Sequence, residues 1–298
     1  LQMDNMVDMP EYETLVDIEP IQKMPVAQLM DIPALPAMAT WVNLRELGAK
    51  GDGETDDTKA IQEAIDKYDN IYVPQGWYRI TETLKMKPDT KLIGLHPFGT
   101  QFQLDESTAA FSGFGGPKAM VESSEGGANM LVGIGINTGG YNYRAVGVKW
   151  MANADSYMND VKFVGGHGGL WKPKPGVEEP RGRWNRPARI SSPDNPVAAS
   201  GMDLAWDNQY WSLWVTNNGG GTFKDIWTAS TYATNGFYAN NTSTPGRIYA
   251  MSIEHHVRNE VRFSKVSNWK VYCMQTEKER SEEHTSELQS PFYLVCRL

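Results

Sequence analysis

The chain has 298 residues, with 40% hydrophobic and 21% charged, enough to bury a substantial core. A formal charge of -8 and no basic stripe argue against a nucleic-acid partner, and no apolar run is long enough to span a membrane. The 28 glycines, 10 tryptophans and 13 tyrosines point instead to many tight turns, and to rings able to stack on flat ligands such as sugars.

Residues 1–38 are acidic and proline-broken, with Pro at 10, 20, 25, 33 and 36, and read as an extended arm. They carry neither the basic start nor the apolar centre of a signal peptide. The segment VNLRELGAKGDGETDDTKAIQEAIDKY then reads as a short strand, a Gly/Asp turn and an amphipathic helix over 55–67. Thr55 or Asp56 is placed to cap that helix, and Ala60, Ile61, Ala64 and Ile65 form its apolar stripe. Ile71–Val73, Trp77–Ile80 and Lys91–Gly94 follow as short strands separated by turn residues.

The run from GAKGDGETDDTKAIQEAI through IYVPQGWYRI to TLKMKPDTKLIGL resembles the opening of the pectate-lyase-like superfamily. That resemblance implies an all-β fold, a right-handed parallel β-helix (a solenoid) with an N-terminal capping helix. The helix would shield the first rung's unpaired strand edge. Ile226, Ile248 and Lys270 recur at 248−226 = 22 and 270−248 = 22, which suits one solenoid coil and predicts that Ile226 stacks on Ile248. Residues 166–212, rich in Gly, Pro and Arg, interrupt the pattern as a long loop. Trp171, Arg183 and Trp184 in it are placed to touch sugar or simply to pack.

The β-helix domain is expected over 39–279. Residues 280–298, beginning RSEEHTSELQS at Arg280, look like a translated sequencing adapter and are set aside as a non-native tail. Cys273 is then the one cysteine to consider, and it implies no disulfide framework.

Residues 240–277 resemble the catalytic region of the exo-β-1,3-glucanase (laminarinase-type) glycoside hydrolases. The matching pieces are Tyr249, Glu254-His255, the run near Phe263, the Asn268 turn and Gln275-Thr276-Glu277. The resemblance implies that Glu277 is the general acid and that Glu254 holds the attacking water. His255, Gln275, Tyr249 and Trp227 are the expected substrate contacts. The spacing 277−254 = 23 is about one coil, which puts the two carboxylates on adjacent rungs about 4.8 Å apart. Side-chain reach then allows the separations that glycosidases use, and the resemblance favours inversion. Two glutamates at that spacing are equally well two solvated groups on one face.

Adjacent residues on a strand point to opposite faces, so His255 and His256, with His167, do not read as a zinc site. No metal or cofactor is expected. The partner is a polysaccharide, and the location is secreted or periplasmic. The first alternative is a polysaccharide lyase, using a base such as Arg258, Arg262 or Lys270 beside a uronate. The second is a non-catalytic carbohydrate-binding β-helix of tailspike or adhesin type.

Overall fold

The computed structural model describes residues 32–164, 209–229, 231–256, 259–278 and 296–297. Among them, three sheets of nine, eight and six strands wind as a parallel β-solenoid of about seven turns. Among the described residues six coils pass through the first, second and third sheet in order. One coil uses Gly221–Lys224, Ile226–Ala229 and Ala233–Thr242; the next uses Gly246–Ile248, Met251–His256 and Asn259–Val266. The coils stack in register, so a strand pairs with its equivalents one turn before and one turn after.

The corner between the first and second sheets explains how such short strands turn. Gly133, Asp160 and Asp225 occupy it in three coils with φ of 63°, 49° and 57°. A single left-handed residue redirects the chain there, a conformation that Gly and Asp tolerate better than bulky side chains. The next two coils turn instead through Tyr249-Ala250 and Tyr272-Cys273.

Inward side chains build the core column by column. Met158, Phe223, Ile248 and Val271 are successive register partners in the first sheet, and Phe102, Ile136, Phe163, Thr228 and Ile253 in the second. Phe223 is fully buried and touches Trp150, Phe237 and Trp269, with ring centroids 5.5–6.3 Å apart. Burying one such side chain stabilises by about 1.5–3 kcal/mol, so this aromatic knot anchors four strands.

The coil spacing corrects the expected repeat. Ile226 pairs with Met251 in the second sheet, whereas Ile248 lies in the first sheet between Phe223 and Val271. The true intervals are 248−223 = 25 and 271−248 = 23, because corner lengths differ from coil to coil. The long loop also ends earlier than expected. Residues 165–208 lie outside the described residues, but 209–212 belong to the strand Gln209–Val215.

The helix spans Thr58–Lys67 and buries Ile61, Ala64 and Ile65 against the core that includes Leu44 and Ala49. Asp56 accepts from the Thr58 N–H at 3.0 Å, which satisfies one free donor of the first turn. Thr55 does not cap: it lies in the strand Asp52–Asp56, and its hydroxyl donates to Asp52. Gln62 reaches from the helix to Lys85, accepting from its N–H at 2.8 Å and donating to its carbonyl at 3.0 Å. Among the described residues Leu84–Lys85 is the terminal strand of the third sheet, and Gln62 pairs with its outer edge.

At the N-terminal side Ile32 packs on Met130, Val132 and Tyr157 outside the first sheet, and Trp41 stacks on Tyr72 at 6.1 Å. Residues 1–31 of the expected arm lie outside the described residues. Within 280–298 only Cys296–Arg297 is described, pairing antiparallel with Lys270 and Val271, so the segment set aside as a tail meets the solenoid at this one strand. Among the described residues no helix is long and apolar enough to cross a membrane.

Candidate functional site

Strand alternation decides what the second sheet shows to solvent. Ile253 points into the core, which turns its neighbours Ser252 and Glu254 outward. Two outer columns result. One runs Trp227, Ser252, Gln275, and the other Glu254, Glu277, each residue being the register partner of the next. Glu254 and Glu277 thus face the same way on neighbouring rungs, about 4.8 Å apart at the backbone.

The Glu254 carboxylate is held by its own strand: the Ser252 hydroxyl donates to it at 2.5 Å. The Glu254 N–H in turn donates to the hydroxyl of buried Thr228 at 3.3 Å. Such fixing suits a group that must hold a water in one orientation. Ser252 was not expected from the sequence, although its i−2 spacing from Glu254 is the signal that places both on one face.

A register shift between Glu254 and His256 turns His256 inward. It is buried, with its Nε2 3.2 Å from the Thr231 hydroxyl, which lies 2.9 Å from Ser212. Of the two adjacent histidines, His256 is therefore an interior group; the side chain of His255 lies outside the described residues. Among the described residues no three His, Cys, Asp or Glu side chains converge as metal ligands.

The expected sugar contacts fall at two distances from the pair. Gln275 is exposed beside Glu277, and Trp227 is half-buried, edge-on to Phe98 at 5.7 Å. Tyr249 sits at the corner before its strand, stacked flat on Tyr272 with centroids 5.0 Å apart and planes 5° apart. It lies five residues from Glu254 around that corner, at most about 16 Å away.

The third sheet carries a second cluster that sequence reading missed. Lys149, Trp214, Tyr238 and Arg262 are successive register partners, and Trp211 pairs with Val146 and Asn235 in the parallel column. Trp211 lies 4.7 Å from Trp214 and 4.9 Å from Tyr238, and Trp214 donates its indole N–H to Asn240 at 2.8 Å. Both Ser212 and Leu213 turn inward between Trp211 and Trp214. The same offset recurs at Gly147 and Gly236, where an added Cβ would meet the core residues Phe163 and Ile253. The inserted residue breaks the two-residue alternation, so Trp211 and Trp214 give no strand signal.

A family model described as rhamnogalacturonase A/epimerase, pectate lyase-like, matches residues 41–276. Among curated proteins, the chain is similar to a "Probable glucan endo-1,3-beta-glucosidase" of Arthroderma benhamiae, 44% identical over 57 residues. That match covers 18% of this chain and 6% of the fungal protein. It is also similar to a preneck appendage protein of Bacillus phage PZA, 42% identical over 53 residues, covering 18% of this chain and 6% of that one. The chain therefore spans well under a tenth of the length of these curated relatives. An iota-carrageenase solved with iota-carrageenan fragments aligns at a TM-score of 0.45 with 11% identity, over 85% of this chain and 52% of that one. The family match runs through nearly every rung of the solenoid, and the chain belongs to the rhamnogalacturonase A/epimerase family of pectate-lyase-like parallel β-helix proteins.

Proposed function

We propose that the protein is a secreted or periplasmic glycoside hydrolase acting on a polysaccharide, with a β-1,3-glucan as the specific candidate. Glu277 is the general acid and Glu254 positions the attacking water. The observation that carries this reading is the direct register between Glu254 and Glu277 on one outer face. Two carboxylates on neighbouring rungs are within side-chain reach of the roughly 6.5–9.5 Å that admits a water between acid and base. That arrangement supports inversion. Ser252 fixes the oxygen that accepts from the water. Gln275, His255 and Trp227 hold the sugar next to the scissile bond, and the Tyr249–Tyr272 stack holds the polymer farther along.

The helix Thr58–Lys67 serves as the cap of the solenoid, with Gln62 substituting for the missing strand beside Lys85.

Incubating the purified protein with a panel of glucans and pectins tests the activity. New reducing ends of inverted configuration from a glucan support it. Products absorbing in the ultraviolet as unsaturated uronates would make the protein a lyase. Binding without any cleavage would make it a carbohydrate-binding β-helix.

A further inference from the structure

Behind the strand that carries Glu254 lies a buried polar chain. Ser212, Thr231 and His256 come from the strand Gln209–Val215, the corner after Ile226–Ala229 and the strand Met251–His256, and none is more than 3% exposed. Thr231 Oγ1 accepts from the Ala233 N–H at 3.3 Å, and lies 2.9 Å from Ser212 Oγ and 3.2 Å from His256 Nε2. Among the described residues Thr231 is the hydrogen-bond partner of the Ser212 hydroxyl, and a buried O–H without an acceptor is costly, so Ser212 donates to Thr231. Both acceptor sites of Thr231 are then filled, and its own proton goes to His256 Nε2. The relay therefore requires a bare Nε2, with a ring proton on Nδ1.

A glycine leaves the ring its space: a Cβ at Gly236 would fall 2.8 Å from His256 Cε1 and 2.2 Å from Ile253 Cγ2. The anchored strand also carries an extra residue. Glu254 to His256 is two steps along it, opposite the single step from Glu277 to Lys278. Strict alternation from inward Ile253 would turn position 256 outward, so the buried ring marks where the bulge is held. A bulge that slid by one residue would carry Glu254 to the other face, away from Glu277.

We propose that His256 is a positioning residue for Glu254, locked from the interior by the Ser212–Thr231 relay. The assignment rests on the reading of Glu254 as the group that holds the attacking water. His256 acts through the backbone of its strand: the relay fixes the ring, the ring pins the bulge, and the bulge keeps the carboxylate facing Glu277's side of the sheet. Thr231 is the joint of this arrangement, because its hydroxyl meets the backbone, Ser212 and the imidazole together.

The test begins with nitrogen NMR on the full chain carrying isotopically labelled histidine. One of the five histidines is expected to show an unprotonated Nε2 that Thr231→Val perturbs. A protonated His256 Nε2 overturns the proposal. Amide hydrogen exchange at Glu254 then reads the bulge. Thr231→Val is expected to speed it roughly tenfold, and Thr231→Ser, which keeps the hydroxyl, to hold it near the wild-type rate. On a glucan that the wild type cuts, kcat should fall roughly 10–100-fold in Thr231→Val with KM unchanged, and recover in Thr231→Ser. Unchanged exchange at Glu254, or a loss that both variants share, overturns the proposal. Should Thr231→Val fail to fold, His256→Gln and His256→Leu take its place. Gln keeps an acceptor near the position of Nε2 and is expected to hold exchange at Glu254 slow, whereas Leu speeds it; no difference between them overturns the proposal. If the wild type cuts no polysaccharide, the hydrolase reading falls, while the tautomer and the exchange rate still decide whether His256 positions Glu254.

Discussion

Glu254 and Glu277 are Cα register partners on neighbouring parallel strands, separated by 23 residues of chain but by one rung of the solenoid. A fixed rung spacing makes their backbone separation insensitive to side-chain packing elsewhere. In the proposed reaction, Glu277→Gln keeps the shape but removes the proton donor. Hydrolysis should fall by about 10²–10⁴-fold while polysaccharide binding persists. Glu254→Gln should be comparably severe. Initial rates and a binding isotherm for each variant check this, and wild-type rates in both would remove the pair from the chemistry.

Phe223 should be among the costliest core positions. It is fully buried where rings from three other strands meet. Phe223→Ala is expected to destabilise by about 3–5 kcal/mol, from lost burial plus the cavity left behind. Chemical denaturation measures it, with an unchanged m-value separating a stability loss from a changed unfolding mechanism.

Two glycines should respond unequally to alanine. Gly48 has φ of 108° but nothing within 4 Å of an added Cβ, so the cost is the left-handed strain of about 1–2 kcal/mol. Gly221 has φ of 104°, and an added Cβ would fall 2.1 Å from Ser156 Oγ and 2.6 Å from its carbonyl oxygen. Strain and overpacking together should cost about 2–5 kcal/mol there. Melting temperatures of Gly48→Ala and Gly221→Ala in the same background test the order.

Asp52 gives a pH signature. Backbone N–H bonds from Glu54 and Thr55, with the Thr55 hydroxyl, lower its pKa from the ordinary 3.8 to about 2. A depressed acid pKa stabilises the fold above the unfolded value and loses that contribution as pH falls through the folded one. Asp52→Ala should therefore melt below the wild type by a constant margin from pH 5 to 8, with the margin narrowing between 3.8 and about 2. Asp52 is solvent-exposed, so the margin should be small and screened by salt. A margin that widens on acidification would contradict the assignment.

What could be read from the sequence followed from how local each signal is. The helix and the first strands were legible because Ile61, Ala64 and Ile65 repeat at helical spacing, and because turn residues bracket Ile71, Tyr78 and Leu92. The placement of Glu254 and Glu277 on neighbouring rungs was legible because all three coil corners between them hold only two residues each. The stacking of Ile226 on Ile248 failed because a repeat of 22 ignores a coil of 25, and three residues of slip move a side chain to another sheet. Tyr210 and Trp211 were absorbed into the long loop, and Trp214 was passed over, because an inward-turned extra residue hides the alternation of their strand. His256 went inward through a register shift that no single sequence announces.

The corner between the second and third sheets takes very different lengths of chain. Between Val164 and Gln209 it holds 209−164−1 = 44 residues; in the next coil, between Ala229 and Ala233, it holds 233−229−1 = 3, and then 259−256−1 = 2. Yet Val148, Leu213, Phe237 and Val261 keep their register through all three. The architecture thus separates inheritance of the core from innovation at its rim. A segment dozens of residues long can be gained, lost or rewritten at that corner in one evolutionary step, beside both the glutamate pair and the tryptophan face, without asking any rung to repack.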